Sequence, residues 1–181
     1  LSVISPGEAA HRAASDRETV LWVDEQNRPC GVLARAELRE RGLIGRASFI
    51  FLFDSAGRLC LHRRTLSKAI YPGYWDPAAG GMIGPGESEL DAARRELAEE
   101  LGVDSQQLEA HGSFFFDGPR NRIWGSVFST ISDAPLRLQP EEVLEARFVT
   151  LEELAGLCDS LPISADSLQA LELCRPGWRQ A

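Results

Sequence analysis

The run GMIGPGESELDAARRELAEELGV, residues 81 to 103, constrains the chain more than any other stretch. Its front is a loop, because Gly81, Gly84, Pro85 and Gly86 interrupt both helical and strand periodicity. Its back reads as one helix from about Ser88 to Leu101, with Ser88 as the N-cap and Gly102 as the stop. Leu90, Ala93, Leu97 and Leu101 recur at helical spacing and make an apolar stripe that has to face a core. On a wheel of about 100° per residue, Glu96, Glu99 and Glu100 share an arc of roughly 100° beside that stripe. Like charges three or four residues apart cost a helix roughly 0.2–0.5 kcal/mol per pair. These three also lie past the helix middle, where the macrodipole favours cations. The cluster therefore needs compensation, from Arg94 and Arg95 or from a hard divalent cation that takes oxygen ligands.

The elements around this helix are mixed. ETVLWVDEQNRPCGVLAR reads as two short strands around a turn, and ELRERG as one helical turn. ASFIFLF is a strongly apolar strand, and LCLHRR after the turn DSAGR is a second strand antiparallel to it. TLSKAIYPGYWDPAAGG is broken by Pro72, Gly73, Pro77, Gly80 and Gly81, and reads as loop throughout. GSFFFD and IWGSVFSTIS are strands around GPRN, and LQPEEVLEARFVT is a loop running into a strand. Thr150 and Glu153 form a capping box that opens a helix to about Cys158, and SADSLQALELC is a last helix. Strands and helices do not alternate regularly, so the expected fold is α/β, a mixed sheet with helices packed on it. The chain has 181 residues without repeats, low-complexity runs or long linkers, which predicts a single domain over 18–181. Its parts are an N-terminal hairpin over 18–45, the acidic helix unit and C-terminal helices over 150–174. Residues 1–17 are small and polar and are expected to fray.

The net charge of −8 argues against a nucleic acid polymer as partner, because phosphate-backbone binders carry basic surfaces. It leaves room for a small anionic ligand met by a few local cations. No apolar run approaches the ~20 residues that span a bilayer, so no membrane partner is expected. Cys30, Cys60, Cys158 and Cys174 show no metal-ligand or redox spacing, which makes a reducing cytoplasm the default location. His11, His62 and His111 likewise lack ligand spacing and read as scattered surface residues. Trp75, Trp124 and Phe114 to Phe116 read as packing residues rather than a base-stacking platform. The glycine-rich loop has no lysine of the kind that follows a phosphate-cradling P-loop.

Nine positions of the 81–103 stretch, Gly81, Glu87, Arg95, Glu96, Leu97, Glu99, Glu100, Gly102 and Val103, match without a gap the signature of the Nudix hydrolases. The resemblance implies an α/β/α sandwich with a mixed β-sheet, on which a loop–helix–loop holds divalent metal, Mg²⁺ or alternatively Mn²⁺. It implies metal ligation by Glu96, Glu99 and Glu100 and by the backbone carbonyl of Gly80. Gly81, Glu87, Arg95 and Gly102 take structural places, with Glu87 paired to Arg95. The implied reaction is attack of water on phosphorus in a diphosphate linkage. The base that takes the proton comes from the signature helix in some relatives (Glu99 or Glu100 here) and from a later loop in others. In this sequence QPEEVLEARFV is similar to that loop, with Glu142 as the candidate and Glu145 behind it.

Upstream, RTLSKAIYPGYW is similar to the isopentenyl-diphosphate isomerases, a Nudix-fold family, in its arginine–xxx–lysine pattern and its PGxW. That resemblance implies that Arg64 and Lys68 bind the diphosphate of a small-molecule substrate. The isomerase residues themselves are absent. The cysteine position holds Gly80, the metal-binding histidine position Met82, and the acidic positions Ser126 and Phe128. Glu96 and Glu99, which the isomerases lose, are kept. The combination favours a pyrophosphohydrolase on an isomerase-like backbone. The alternatives are an isomerase-like enzyme and a non-catalytic nucleotide-binding module.

Overall fold

The computed structural model describes residues 4–180. The elements run in the order α1 (Pro6–Arg17), β1 (Thr19–Val23), β2 (Pro29–Ala34), α2 (Arg35–Glu40), β3 (Ile44–Phe53), β4 (Leu59–Arg64), β5 (Trp75–Asp76), β6 (Ala79–Met82), α3 (Glu89–Leu101), β7 (Glu109–Asp117), β8 (Arg122–Ile131), β9 (Val143–Val149), α4 (Leu151–Leu157) and α5 (Ala165–Cys174), then a 3₁₀ turn over Trp178–Gln180. The strands form one mixed sheet of nine.

β3 organises the sheet. It runs parallel to β8 along its whole length, from Gly45↔Ile123 to Phe53↔Ile131, and antiparallel to β6 over Ala47↔Met82 to Ile50↔Ala79. Because side chains alternate along a strand, its run splits between two faces. Phe49, Phe51 and Phe53 join Leu59 and Leu61 in a core with Leu154, Ala170 and Leu171 of α4 and α5. Ile50 and Leu52 join a second core with Ala93, Leu97 and Leu101 of α3. A strand buried on both faces has to be apolar throughout, which is why ASFIFLF shows no polar alternation. The layers are therefore helix, sheet, helix.

Helix α3 follows its signals closely. The Ser88 hydroxyl accepts from the Asp91 N–H at 3.1 Å, and Gly102 closes the helix in the left-handed region at φ 69°. Thr150 and Glu153 cap α4 reciprocally.

Two expectations are corrected. The segment before Thr19 is not frayed over 6–17: α1 is a helix opened by a capping box between Ser5 and Glu8, with Pro6 at its first position. The loop after Arg64 contains two short strands, β5 and β6. Gly80 and Gly81 read as breakers but lie in β6. There the backbone passes so close to β3 that a Cβ on Gly80 would overlap the Ser48 carbonyl oxygen. β3 and β4 are antiparallel but pair only at Phe53↔Leu59. The long partner of β4 is β9, from Leu59↔Val149 to Arg64↔Val143. That pairing brings the loop before β9, with Glu142, to the same end of the sheet as Arg64 and the loop after it. No helix among the described residues is long and apolar enough to cross a membrane.

Candidate active site

Two cations organise the carboxylates. The first is Arg95 on α3. Its Nε and one terminal nitrogen grip Glu87 at 2.8 and 3.0 Å, while the other terminal nitrogen reaches Glu96 at 2.6 Å and Glu99 at 3.4 Å. The Met82 carbonyl accepts a further bond, and Glu87 also accepts from the Gly84 N–H. The bidentate bond from Arg95 holds Glu87 below the usual carboxylate range, and the same bond raises Arg95. The loop Gly84–Glu87 is thereby tied to the helix. Burial is the main influence on Glu96 and pushes its carboxyl up. A Cβ on Gly81 would collide with the Glu96 carboxylate, so only glycine leaves that side chain its place.

The second cation is Lys68, in the loop between β4 and β5. Its Nζ donates to Glu100 at 3.3 Å and to Glu142. Glu100 faces inward from α3, is only 1% exposed, and also accepts from the Gly80 N–H at 3.1 Å. Burial pushes its carboxyl up to about 8 despite Lys68. Burial acts on Glu142 in the same sense, but Lys68 overrides it and holds this carboxyl low. The other Glu142 oxygen meets His11 Nε2, from α1, at 2.5 Å.

Arg64 lies beyond Lys68. Its Nε and one terminal nitrogen hold the Ile70 carbonyl, and the other terminal nitrogen donates to Asp76 at 3.1 Å. Three of its five N–H donors have partners among the described residues, which leaves donors for an anion. Arg64, Lys68, Gly80, Gly81 and Glu142 line a cavity of about 350 Å³ that continues to the β7–β8 turn. At that turn Asn121 Nδ2 donates to Asp166 at 2.8 Å. Asp166, on α5, is pushed up to about 6, first by burial and then by the neighbouring Asp76. Among the buried polar atoms without a partner in the described residues, Asn121 Oδ1 belongs to the one residue that lines this cavity. A groove of about 370 Å³, lined by Glu87, Arg95, Glu96 and Glu99, adjoins the cavity, and both share His11, Lys68, Gly80 and Glu142.

The side chains of the expected metal shelf are divided between these two cations. Glu96, Glu99 and Glu100 do not converge: two face Arg95 and the third faces Lys68. Among the described residues no three His, Cys, Asp or Glu side chains come together closely enough to hold an ion as they stand. The donor set nevertheless fits a hard divalent cation. The Glu142 charge raises both Glu96 and Glu100, so the carboxylates crowd one another, and Glu96, Glu99 and Glu100 offer only oxygen donors. Gly80 joins the site through its N–H, which donates to Glu100. Glu145 points away on β9 to Arg63 and lines neither cavity nor groove.

The histidines also differ from expectation. His62 is buried at 1% exposure and held down to about 4, mainly by burial, and His11 belongs to the site. Asp76, Asn121 and Asp166 also belong to it, though nothing in their spacing marks them. The signal for His11 was indirect: Ser5, Pro6 and Glu8 announce the helix that carries it. Trp75 and Phe114 are core residues, and Phe115 stacks on Trp124 across the β7–β8 pair, which agrees with packing.

Residues 43–171 match the NUDIX domain family. An uncharacterised Nudix hydrolase of Pseudomonas aeruginosa, PA4841, is 65% identical over 164 residues, covering 91% of this chain and 97% of its own length. The crystal structure of DR0079 from Deinococcus radiodurans superposes with a TM-score of 0.72 at 28% identity, covering 87% of this chain and 98% of that one. The NUDIX domain of Shewanella oneidensis NrtR, solved with ADP ribose, has the same fold, with a TM-score of 0.62 at 20% identity over 79% of this chain and 97% of that one. The fold, the tied Glu87–Arg95 loop and this likeness agree: the chain belongs to the Nudix hydrolases, enzymes of phosphoric anhydride cleavage.

Proposed function

We propose that the chain is a Mg²⁺-dependent hydrolase (Mn²⁺ serving as well) that cleaves the diphosphate linkage of a nucleoside diphosphate derivative or a related organic diphosphate. One observation carries the reading: Lys68 sits between Glu100 and Glu142 where the carboxylate groove opens into a cavity that also presents Arg64. Glu96, Glu99, Glu100 and the Gly80 carbonyl would hold the metal, which lowers the pKa of water and neutralises charge on phosphoryl oxygens.

The chain's own residues do the rest. Arg64 offers its remaining N–H donors to the diphosphate. Lys68 turns from the two carboxylates to the same anion, which leaves Glu142 ionised and unmasked. Glu142 takes the proton of the attacking water as oxygen bonds to phosphorus. The bridging P–O bond breaks, and its electron pair leaves with the second phosphate. Glu87 and Arg95 keep the loop over α3 in place. Asn121 Oδ1, without a partner among the described residues, favours a hydrogen-bond donor on the organic group over a hydrocarbon chain.

A panel of nucleoside di- and triphosphates, nucleotide sugars, dinucleotides, ADP-ribose and prenyl diphosphates, with Mg²⁺ in ¹⁸O-water, tests this. The expected result is turnover of a nucleotide member with ¹⁸O in a phosphate product. Conversion of isopentenyl to dimethylallyl diphosphate without ¹⁸O uptake would replace the hydrolase by the isomerase. Tight binding without turnover would favour a non-catalytic module.

A further inference from the structure

We infer that α1, which lies outside the family-matched residues 43–171, is a working part of the site, and that His11 is the residue that positions Glu142. The inference rests on the reading of Glu142 as the group that takes the proton.

Three observations carry it. First, α1 has no buried residue, so apolar burial does not hold it where it is. It is docked by polar contacts from one face: Asp16 to Arg39 at 2.7 Å, Ser15 to Arg35 at 2.8 Å, and His11 to Glu142. Two of these reach α2, and only His11 reaches the chemistry. Second, His11, Arg12, Ser15 and Asp16 line the cavity, so the polar face of α1 is one of its walls. Third, Glu142 sits on a turn closed by its N–H bond to Gln139, not on a regular element. A carboxylate there needs side-chain partners to fix its direction. Lys68 takes one oxygen and His11 the other. Lys68 is also expected to bind substrate, so His11 is the partner that stays when substrate enters. A base oriented by a third group is a general arrangement in enzymes that move protons. A carboxylate has about four lone-pair sites, so two bonds leave room for a water.

The test uses the full chain and the best substrate of the panel with Mg²⁺. Variants are His11→Ala, His11→Gln, Glu142→Gln and the double variant His11→Ala/Glu142→Gln. His11→Ala is expected to lower kcat about 10- to 100-fold, the scale seen when a group that orients a metal ligand is removed, with KM within about twofold. His11→Gln, which keeps a donor, should recover most of the loss. On the Glu142→Gln background, His11→Ala should cost nothing further, because both act on one step. Thermal midpoints should fall little, since Glu142 keeps Lys68 and α1 carries no buried residue. A kcat within twofold of wild type for His11→Ala, or a loss that adds to that of Glu142→Gln, overturns the inference while leaving Glu142 in place. A Glu142→Gln variant with wild-type kcat overturns the reading of Glu142 and the inference together. Amide exchange gives a readout without turnover: residues 8–17 should exchange faster in both His11→Ala and Glu142→Gln. Unchanged exchange in both would show that the contact does not hold α1.

Discussion

Arg95 and Lys68 each bridge carboxylates, yet they are built differently. Arg95 gathers Glu87, Glu96 and Glu99 from within one loop and one helix, and its side chain is 37% exposed. Lys68 gathers Glu100 and Glu142, with His11 behind Glu142, from three segments far apart in sequence, and is 14% exposed. The first cluster is local, half-solvated and tied to the loop geometry. The second is more buried and forms only when the whole sheet is in place. Solvation decides how much each pair matters, because an exposed ion pair contributes little and a buried one cannot lose a partner cheaply.

The largest effect should come from Glu100→Gln. Turnover should fall by more than about 100-fold, beyond the range seen for partners of metal ligands. Thermal stability should hold or rise, because the buried carboxylate is costly and an amide oxygen can still accept from the Gly80 N–H. A parallel loss of stability and activity, read by melting and kinetics, would make Glu100 a structural residue.

Lys68→Met should cost about 3–5 kcal/mol in metal-free protein, the scale of breaking a buried pair. Mg²⁺ should restore part of that stability, because Glu100 and Glu142 then regain a cation. Denaturant titration with and without Mg²⁺ checks both statements.

Two carboxyls at opposite ends of the site, Asp166 beside Asn121 and Glu87 beside Arg95, should answer pH with opposite signs. Asp166 has a folded pKa raised from 3.8 to about 6, so the folded state binds its proton more tightly than the unfolded chain does. Its contribution to stability is present below pH 3.8 and is lost as pH rises towards 6, on the order of 3 kcal/mol at most. Glu87 is lowered by Arg95, so its contribution is present above pH 4.5 and is lost as pH falls. Asp166→Asn should flatten the first slope and Glu87→Gln the second, in melts from pH 3 to 7. Equal signs would remove the distinction. The smallest effect should be Arg95→Ala, at about 1 kcal/mol of stability because the guanidinium is partly solvated. A cost equal to that of Lys68→Met would mean that exposure does not separate the clusters.

The same contrast explains what was legible beforehand. Helix α3, its Ser88 cap, its Gly102 stop and the Glu87–Arg95 pair all lie within about two turns of the residues that signal them, so spacing alone reveals them. The alternating core of β3 was legible as an unbroken apolar run. What spacing could not reveal is set by sheet register. The β4–β9 pairing delivers Glu142 to Lys68, β6 turns two apparent breaker glycines into strand, and α5 brings Asp166 to Asn121. Nor could it show that Glu96, Glu99 and Glu100, neighbours on a helical wheel, divide between two cations. The α1 helix had a capping box in plain sight, but its lack of an apolar stripe hid it.

The central claim is that Glu142, held in the buried cluster, takes the proton of the attacking water. Steady-state kinetics of Glu142→Gln against wild type, with saturating Mg²⁺ and the best panel substrate, tests it most directly. The account predicts a loss of roughly 10²–10⁴-fold in kcat with KM close to that of wild type. A Glu142→Gln enzyme that turns over within threefold of wild type would contradict it, and would return the proton to a glutamate of α3.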